Sequence, residues 1–352
     1  MSRKLLVVLA MGGLLVSGCG DSAAPDEFDM VQMQADVDLG FDDETSPENA
    51  AIYRGLNLSE DITGEGEPVV ASRTRLSADV KPVLSRTGQA LSLSRRELPD
   101  SVMGKVWIYD DVAGAYAAST RTDGPDDGAR FILYAVDDAG FFASPLVETG
   151  YLDFRQLGNS ERREGRMVGV VDGVTLYDFS GFTTGTIGNG TFGVSGFFTF
   201  NGLRVEVDGS GSQLPSGSDD QVELASTVTI PQRDVEIEGT LSASDALNTP
   251  VSLTLTATSP AGVLGMESTQ GDDIEGDYTV MTTFSLNGEE FATRTAVDGE
   301  PVVYTPLNGN VVTPAHEAFF TEMEDLPMMS VLATAEMLSI LGPMLYPVPL
   351  AF

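Results

Sequence analysis

The run Thr191-Phe192-Gly193-Val194-Ser195-Gly196-Phe197-Phe198-Thr199-Phe200, then Asn201-Gly202, then Leu203-Arg204-Val205-Glu206-Val207, decides the fold class. Phe, Val and Thr suit a pleated, half-buried surface. Asn-Gly between two such runs supplies the positive φ angles of a two-residue hairpin turn. Leu203, Val205 and Val207 alternate with Arg204 and Glu206, so one face of the ribbon is apolar and the other charged.

The same grammar extends outward on both sides. Runs rich in Val, Ile, Thr, Phe and Tyr cover 105–109, 129–136, 151–154, 166–179, 222–230, 235–241, 251–258, 278–286 and 291–296. Asp127-Gly128, Asp172-Gly173, Asn189-Gly190, Asn287-Gly288 and Asp298-Gly299 punctuate them. The chain is therefore expected to be mainly β, with antiparallel strands over 72–312 buried on one face. A meander, a sandwich and a curved open sheet all satisfy this pattern. The Gly/Ser-rich stretch 208–220 reads either as a linker between two units, 72–210 and 220–312, or as a long hairpin loop within one. Phe198-Thr199-Phe200-Asn201-Gly202 and Phe284-Ser285-Leu286-Asn287-Gly288 match in pattern and hint at an internal repeat.

Residues 313–352 form a different, apolar and Met-rich tail. Thr313-Pro314 opens a helix expected to run to about Asp325, where Pro327 stops it. Residues 326–352 hold one charged side chain, Glu336. Their apolar helical stretch is shorter than the roughly 20 residues a membrane span needs. Packing on the sheet is the expected role of this tail. A Met-rich lid over an apolar groove and a membrane-facing segment are the alternatives. Pro347 and Pro349 argue against the closing strand of an outer-membrane barrel.

Residues 20–71 read as an acidic tether. Phe28, Met30, Val31 and Met33 make one short amphipathic turn there, and Ser46-Pro47-Glu48 resembles a short helix start. Ahead of the tether, Arg3 and Lys4 precede the apolar run Leu5–Val16, and Val16-Ser17-Gly18-Cys19 follows. A basic start, a short apolar segment and small residues describe an export signal over 1–19. This arrangement resembles the signal peptide and lipobox of bacterial lipoproteins. The resemblance implies that Cys19 is lipidated, becomes the first mature residue and anchors the chain in the cell envelope. By the sorting rule of enteric bacteria, Gly20 in place of Asp implies the outer membrane. The resemblance covers only this segment and implies no activity.

Composition narrows the function classes. The formal charge is −34, with −13 in 20–71, +4 in 72–105 and −27 in 106–352. Nucleic acid and anionic lipid surfaces should repel such a chain. Arg73, Arg75, Lys81, Arg86, Arg95, Arg96 and Lys105 make 72–105 a basic segment, read first as an internal counter-charge and second as a patch for lipid headgroups or an acidic partner. Cys19 is the only cysteine, so no intrachain disulfide can form.

No catalytic motif stands out. His316 is the sole histidine, in Thr313-Pro314-Ala315-His316-Glu317, where a first-turn or surface role is expected. Gly193-Val194-Ser195-Gly196 resembles part of a nucleophile elbow but lies inside a strand run. No cofactor is indicated. Asp123, Asp126 and Asp127, and Asp272, Asp273 and Asp277, are weak calcium candidates, because carboxylates in glycine-containing loops suit a hard cation. Ordinary turns in an acidic protein are the favoured account of them. Three function classes remain. A non-catalytic structural or partner-binding envelope protein is the leading reading, and a carrier of an apolar molecule held between sheet and tail is the alternative. An enzyme is the least supported, since no nucleophile and base can be named.

Overall fold

The computed structural model describes residues 28–37, 51–52, 54, 100–137, 141–159, 161–186, 189–200, 202–216, 219–244, 251–272, 278–297 and 300–323. Among the described residues, the helices α1 (Met30–Val37) and α2 (Pro314–Met323) accompany fifteen strands. The strands are β1 (Lys105–Asp110), β2 (Ala115–Ala118), β3 (Gly128–Tyr134), β4 (Glu148–Gly158), β5 (Arg162–Val171), β6 (Val174–Thr186), β7 (Asn189–Phe200) and β8 (Leu203–Ser216). They continue as β9 (Asp219–Ile230), β10 (Val235–Ser244), β11 (Val251–Ser259), β12 (Gly262–Asp272), β13 (Tyr278–Leu286), β14 (Glu289–Val297) and β15 (Val303–Pro306).

All fifteen belong to one open sheet, in which β3 to β15 follow one another in chain order as an antiparallel meander. At the other end β1 inserts between β3 and β2, parallel to β3 and antiparallel to β2. Of the architectures the alternation allows, the meander in an open sheet is the one formed. The stretch 208–220 is no linker: Asp208–Ser216 completes β8, and β8 pairs with β9 from Glu206↔Thr229 to Ser216↔Asp219. Its glycines mislead as breakers, because Gly209 and Gly211 both lie within β8 and Gly211 is needed small. A Cβ on Gly211 would come within 2.3 Å of the Phe192 ring.

Register shows how one face becomes the core. Ala129, Phe154, Met167, Phe179, Gly196, Val207, Val228, Ile237, Ala257, Leu264 and Leu286 are successive partners from β3 to β13. Except for the half-buried Gly196, every residue of this row is buried. Gly196 takes a φ of 154°, and a Cβ there would lie 2.1 Å from the Asp178 carbonyl oxygen. Between the inward residues stand polar ones; β11 alternates buried Leu253, Leu255 and Ala257 with exposed Ser252, Thr254, Thr256 and Thr258. β3 departs from this rule. Its Phe131 and Leu133 join the main core, while Ile132 and Tyr134 join a second cluster with Val106 on the opposite face.

Helices cover the inner face. Met33 and Val37, one helical turn apart on α1, and Phe319, Phe320 and Met323 on α2 belong to the same buried cluster as the sheet row. Phe320 is fully buried and stacks on Phe284 with ring centroids 4.2 Å apart. The helix expected to open at Thr313-Pro314 therefore forms and packs on the sheet. The apolar Met-rich stretch after it lies outside the described residues.

Three expectations need amendment. The segment 20–45 is not tether throughout, because Met30–Val37 is a docked helix whose first N–H groups, those of Val31 and Gln32, donate to the Asp29 carboxylate. Strand β12 carries Gly, Met, Glu and Gln, which hide it from β-propensity, yet it pairs fully on both sides. Strand β2, Ala-Tyr-Ala-Ala, is equally silent in the sequence. Of the short helix expected after Ser46, Ala51, Ile52 and Arg54 are helical, and Ile52 is fully buried, 3.1 Å from where a Cβ on Gly169 would stand.

Candidate functional site

The outer face of β3 to β8 carries one motif three times: an aromatic ring, a guanidinium lying over it, and a carboxylate holding that guanidinium. Arg130 lies 3.8 Å over the Tyr151 ring and donates to both Asp153 oxygens, at 2.7 and 2.8 Å. Arg162 lies 3.9 Å over Phe182 and donates to Glu164 at 2.5 Å. Arg204 lies 3.4 Å over Phe197 and donates to Glu206 at 2.7 Å.

Two-residue periodicity builds each unit. Tyr151 and Asp153 are two apart on β4, Arg162 and Glu164 on β5, Arg204 and Glu206 on β8, so both members of each pair point outward. The remaining member arrives from the adjacent strand, as when Phe197 of β7 reaches Arg204 of β8. Between these units Arg166 grips Asp178 with two bonds of 2.8 and 2.7 Å, and Arg155 donates to Asp127 at 2.8 Å. Paired charge, planar guanidinium and ring surface share this face.

Electrostatics here are those of satisfied pairs. The Asp153 hydrogen bonds raise the Arg130 guanidinium above its ordinary value, and those of Asp178 do the same for Arg166. The Arg121 guanidinium, which donates to Asp123 and Glu148, holds the Asp123 carboxyl below the usual carboxylate range. Asp153 is 8 % exposed, whereas Arg204 and Glu206 side chains retain 43 % and 45 % exposure. The Arg130 unit is therefore part of the packed edge, and the Arg204 unit is open to solvent.

The calcium candidates are distributed as follows. Asp123 is paired with Arg121 and Arg130, Asp127 with Arg155, and Asp126 stands exposed between them. Asp272 ends β12, while Asp273 and Asp277 lie outside the described residues. Among the described residues no three acidic, His or Cys side chains converge as a metal site would require. Two of the candidate carboxylates thus already have cations, which are guanidinium groups. Cys19 also lies outside the described residues.

His316 is a cap, half-buried rather than a surface group. Its Nδ1 accepts from the Thr313 backbone N–H at 3.1 Å, and the His316 N–H donates to Thr313 Oγ1 at 3.4 Å. This reciprocal pair is a capping box with imidazole in the place of the usual Glu. The ring lies 4.7 Å from the Phe291 ring, and burial lowers its pKa. Ser195, inside the partial elbow, faces Ser180 across β6 and β7 at 3.4 Å between hydroxyls. Neither residue is placed for nucleophilic chemistry.

Sequence reading missed the three stacks. The signal was present as Arg-x-Glu and Tyr-x-Asp at strand spacing, but the ring and the guanidinium belong to different strands, and only register brings them together. No family model, curated protein or solved structure matches the chain.

Proposed function

We propose that the chain is a bacterial envelope lipoprotein, anchored through a lipidated Cys19 in the outer membrane, that works without catalysis by binding another envelope protein. The observation that carries the binding reading is the triple ring–guanidinium–carboxylate face of β3 to β8. Arg and aromatic side chains are the groups enriched where protein interfaces concentrate their energy. With the guanidinium groups already stacked and paired, little side-chain entropy is left to lose on association.

The carrier alternative has less support. Met33, Ile52, Phe319, Phe320 and Met323 occupy the inner face where an apolar cargo would lie. A cargo would have to displace side chains that are buried among those of the sheet.

Photo-reactive phenylalanine in place of Phe197, Phe182 or Thr256, in otherwise intact cells, tests the proposal. Discrete protein adducts are expected from positions 197 and 182 and none from 256. Arg204→Glu should lower the adduct yield at 197 about tenfold, as loss of one interface anchor does. Equal labelling from all three positions would discard the face, and a lipid co-purifying in stoichiometric amount would restore the carrier. Cys19→Ala should move the protein out of the membrane fraction; unchanged fractionation would remove the anchor.

A further inference from the structure

Helix α1 is tied to the sheet at both of its ends, and both ties lie on the same edge. At its start the Asp29 N–H donates to the Ala261 carbonyl at 3.0 Å, in the β11–β12 turn. Phe28 lies against Gly262, where a Cβ would stand 2.8 Å from its ring, and meets Phe319 edge-on at 5.8 Å. At its other end Arg233, in the β9–β10 turn, donates to the carbonyls of Ala35 and Asp36 at 3.1 Å each. These are orphan carbonyls of a helix C-terminus, and a guanidinium caps them well. Eight residues of helix span about 12 Å. Two strand spacings, from one turn to the other, are about 10 Å. The helix therefore fits along the turn edge, across the strands.

We infer that α1 is an orientation latch that holds this turn edge toward the membrane and the opposite edge away from it. The inference rests on the anchor reading of Cys19. Nine chain steps separate Cys19 from Phe28, so the latch stands at most about 30 Å from the lipidated residue. The meander sorts its connections by edge. The Asp172-Gly173, Gly202, Pro231–Asp234, Pro260–Ala261 and Asn287–Gly288 turns share the latched edge. Residues 159–161, 187–188, 217–218, 245–250, 273–277 and 298–302 connect strands at the other, and 135–147 connect β3 to β4 at the latched one. β10, ten residues long, sets the two edges about 33 Å apart. The membrane-distal edge is the one a partner approaching from beyond the bilayer meets first, and the β3–β8 outer face stands upright, accessible from the side.

Energy transfer to a headgroup-labelled lipid tests this on the full-length lipidated protein in vesicles. Dye is attached at Gln232→Cys, on the latched edge, or at Glu300→Cys, on the distal edge; both positions are exposed. Transfer from 232 should be at least about threefold that from 300, given the strand-length separation. Adding Arg233→Ala to the position-300 and position-232 proteins, with circular dichroism to confirm the sheet, should bring the two signals together. As a second route that leaves the core alone, some twenty Gly/Ser residues inserted between Asp26 and Glu27 should weaken both signals while the latch stays docked. Equal or reversed transfer in the parent protein, on vesicles that do carry it, overturns the latch and leaves the anchor standing. Failure of the purified mature protein to associate with vesicles at all overturns the anchor and the latch with it.

Discussion

The outer faces of the two halves of this sheet solve the same problem with opposite chemistry. From β3 to β8 four outward acids have a cation: Asp153 with Arg130, Glu164 with Arg162, Asp178 with Arg166, Glu206 with Arg204, while Asp208, exposed on β8, has no ion pair among the described residues. From β9 to β13 the outward positions are Thr and Ser interleaved with Glu223, Glu236, Glu238 and Glu267, and no ion pair among the described residues involves these four. Hydroxyl contacts such as Thr240 to Thr254 at 2.6 Å join neighbouring strands there instead. A paired face presents near-neutral charge to another protein, whereas an unpaired acidic face stays hydrated and repels acidic surfaces. On the proposed reading, one half of the sheet's width would meet a partner and the other would stay hydrated.

The strongest way to break this comparison is to test whether the inner faces are as alike as the outer ones are different. Phe320→Ala on α2 and Phe179→Ala on β6 should each cost about 3–5 kcal/mol in denaturant unfolding. A much smaller loss for Phe320→Ala would mean that the acidic half is held by something other than α2. Within the paired half, Asp153→Ala leaves Arg130 without its chief partner at a site where both side chains are mostly buried. About 2–4 kcal/mol is expected, against less than about 1 kcal/mol for Glu206→Ala at the exposed pair; similar values for the two would deny the division between packed edge and open stack.

Salt sharpens the contrast through repulsion. Raising sodium chloride from about 10 mM to about 500 mM shortens the screening length below about 5 Å, so the melting temperature should rise. Neutralising Glu236, Glu238 and Glu267 to Gln should flatten that dependence, while Glu206→Gln should leave it nearly as it was. The smallest effect concerns the cap on α2. Burial lowers the His316 pKa from its ordinary 6.5, and Nδ1 must be unprotonated to accept from Thr313. The neutral ring is the folded form, so its contribution is complete above pH 6.5 and is lost as pH falls through the lower folded value. Thr313→Ala should cost about 1 kcal/mol, and His316→Gln should abolish that part of the pH dependence, measurable as a flatter stability profile between pH 7 and 5.

Much of the fold was legible because strand alternation is a local signal. Leu203, Val205 and Val207 announce an inner face, and Asn287-Gly288 announces a turn, without knowledge of any neighbour. What stayed hidden depended on neighbours. β12 looks unlike a strand until Leu255 and Phe284 flank Met266. Gly209 and Gly211 look like linker until Phe192 covers Gly211. α1 looks like tether, because a helix of eight residues gains its stability from docking rather than from propensity. The candidate binding face was the least legible part. Arg204 and Phe197 are ordinary in their own strands and become a stack only through pairing.

The meander itself has a consequence for how such a chain can change. Because β4 to β14 each pair only with the strands before and after them in the chain, the sheet behaves as a one-dimensional array, built from hairpins as a solenoid is built from repeats. A closed barrel fixes its strand number by the need to meet its own beginning; this sheet has no such condition. Excising one hairpin brings strands of the correct direction and the correct face into register, so its width is a quantity that insertion and deletion can adjust two strands at a time.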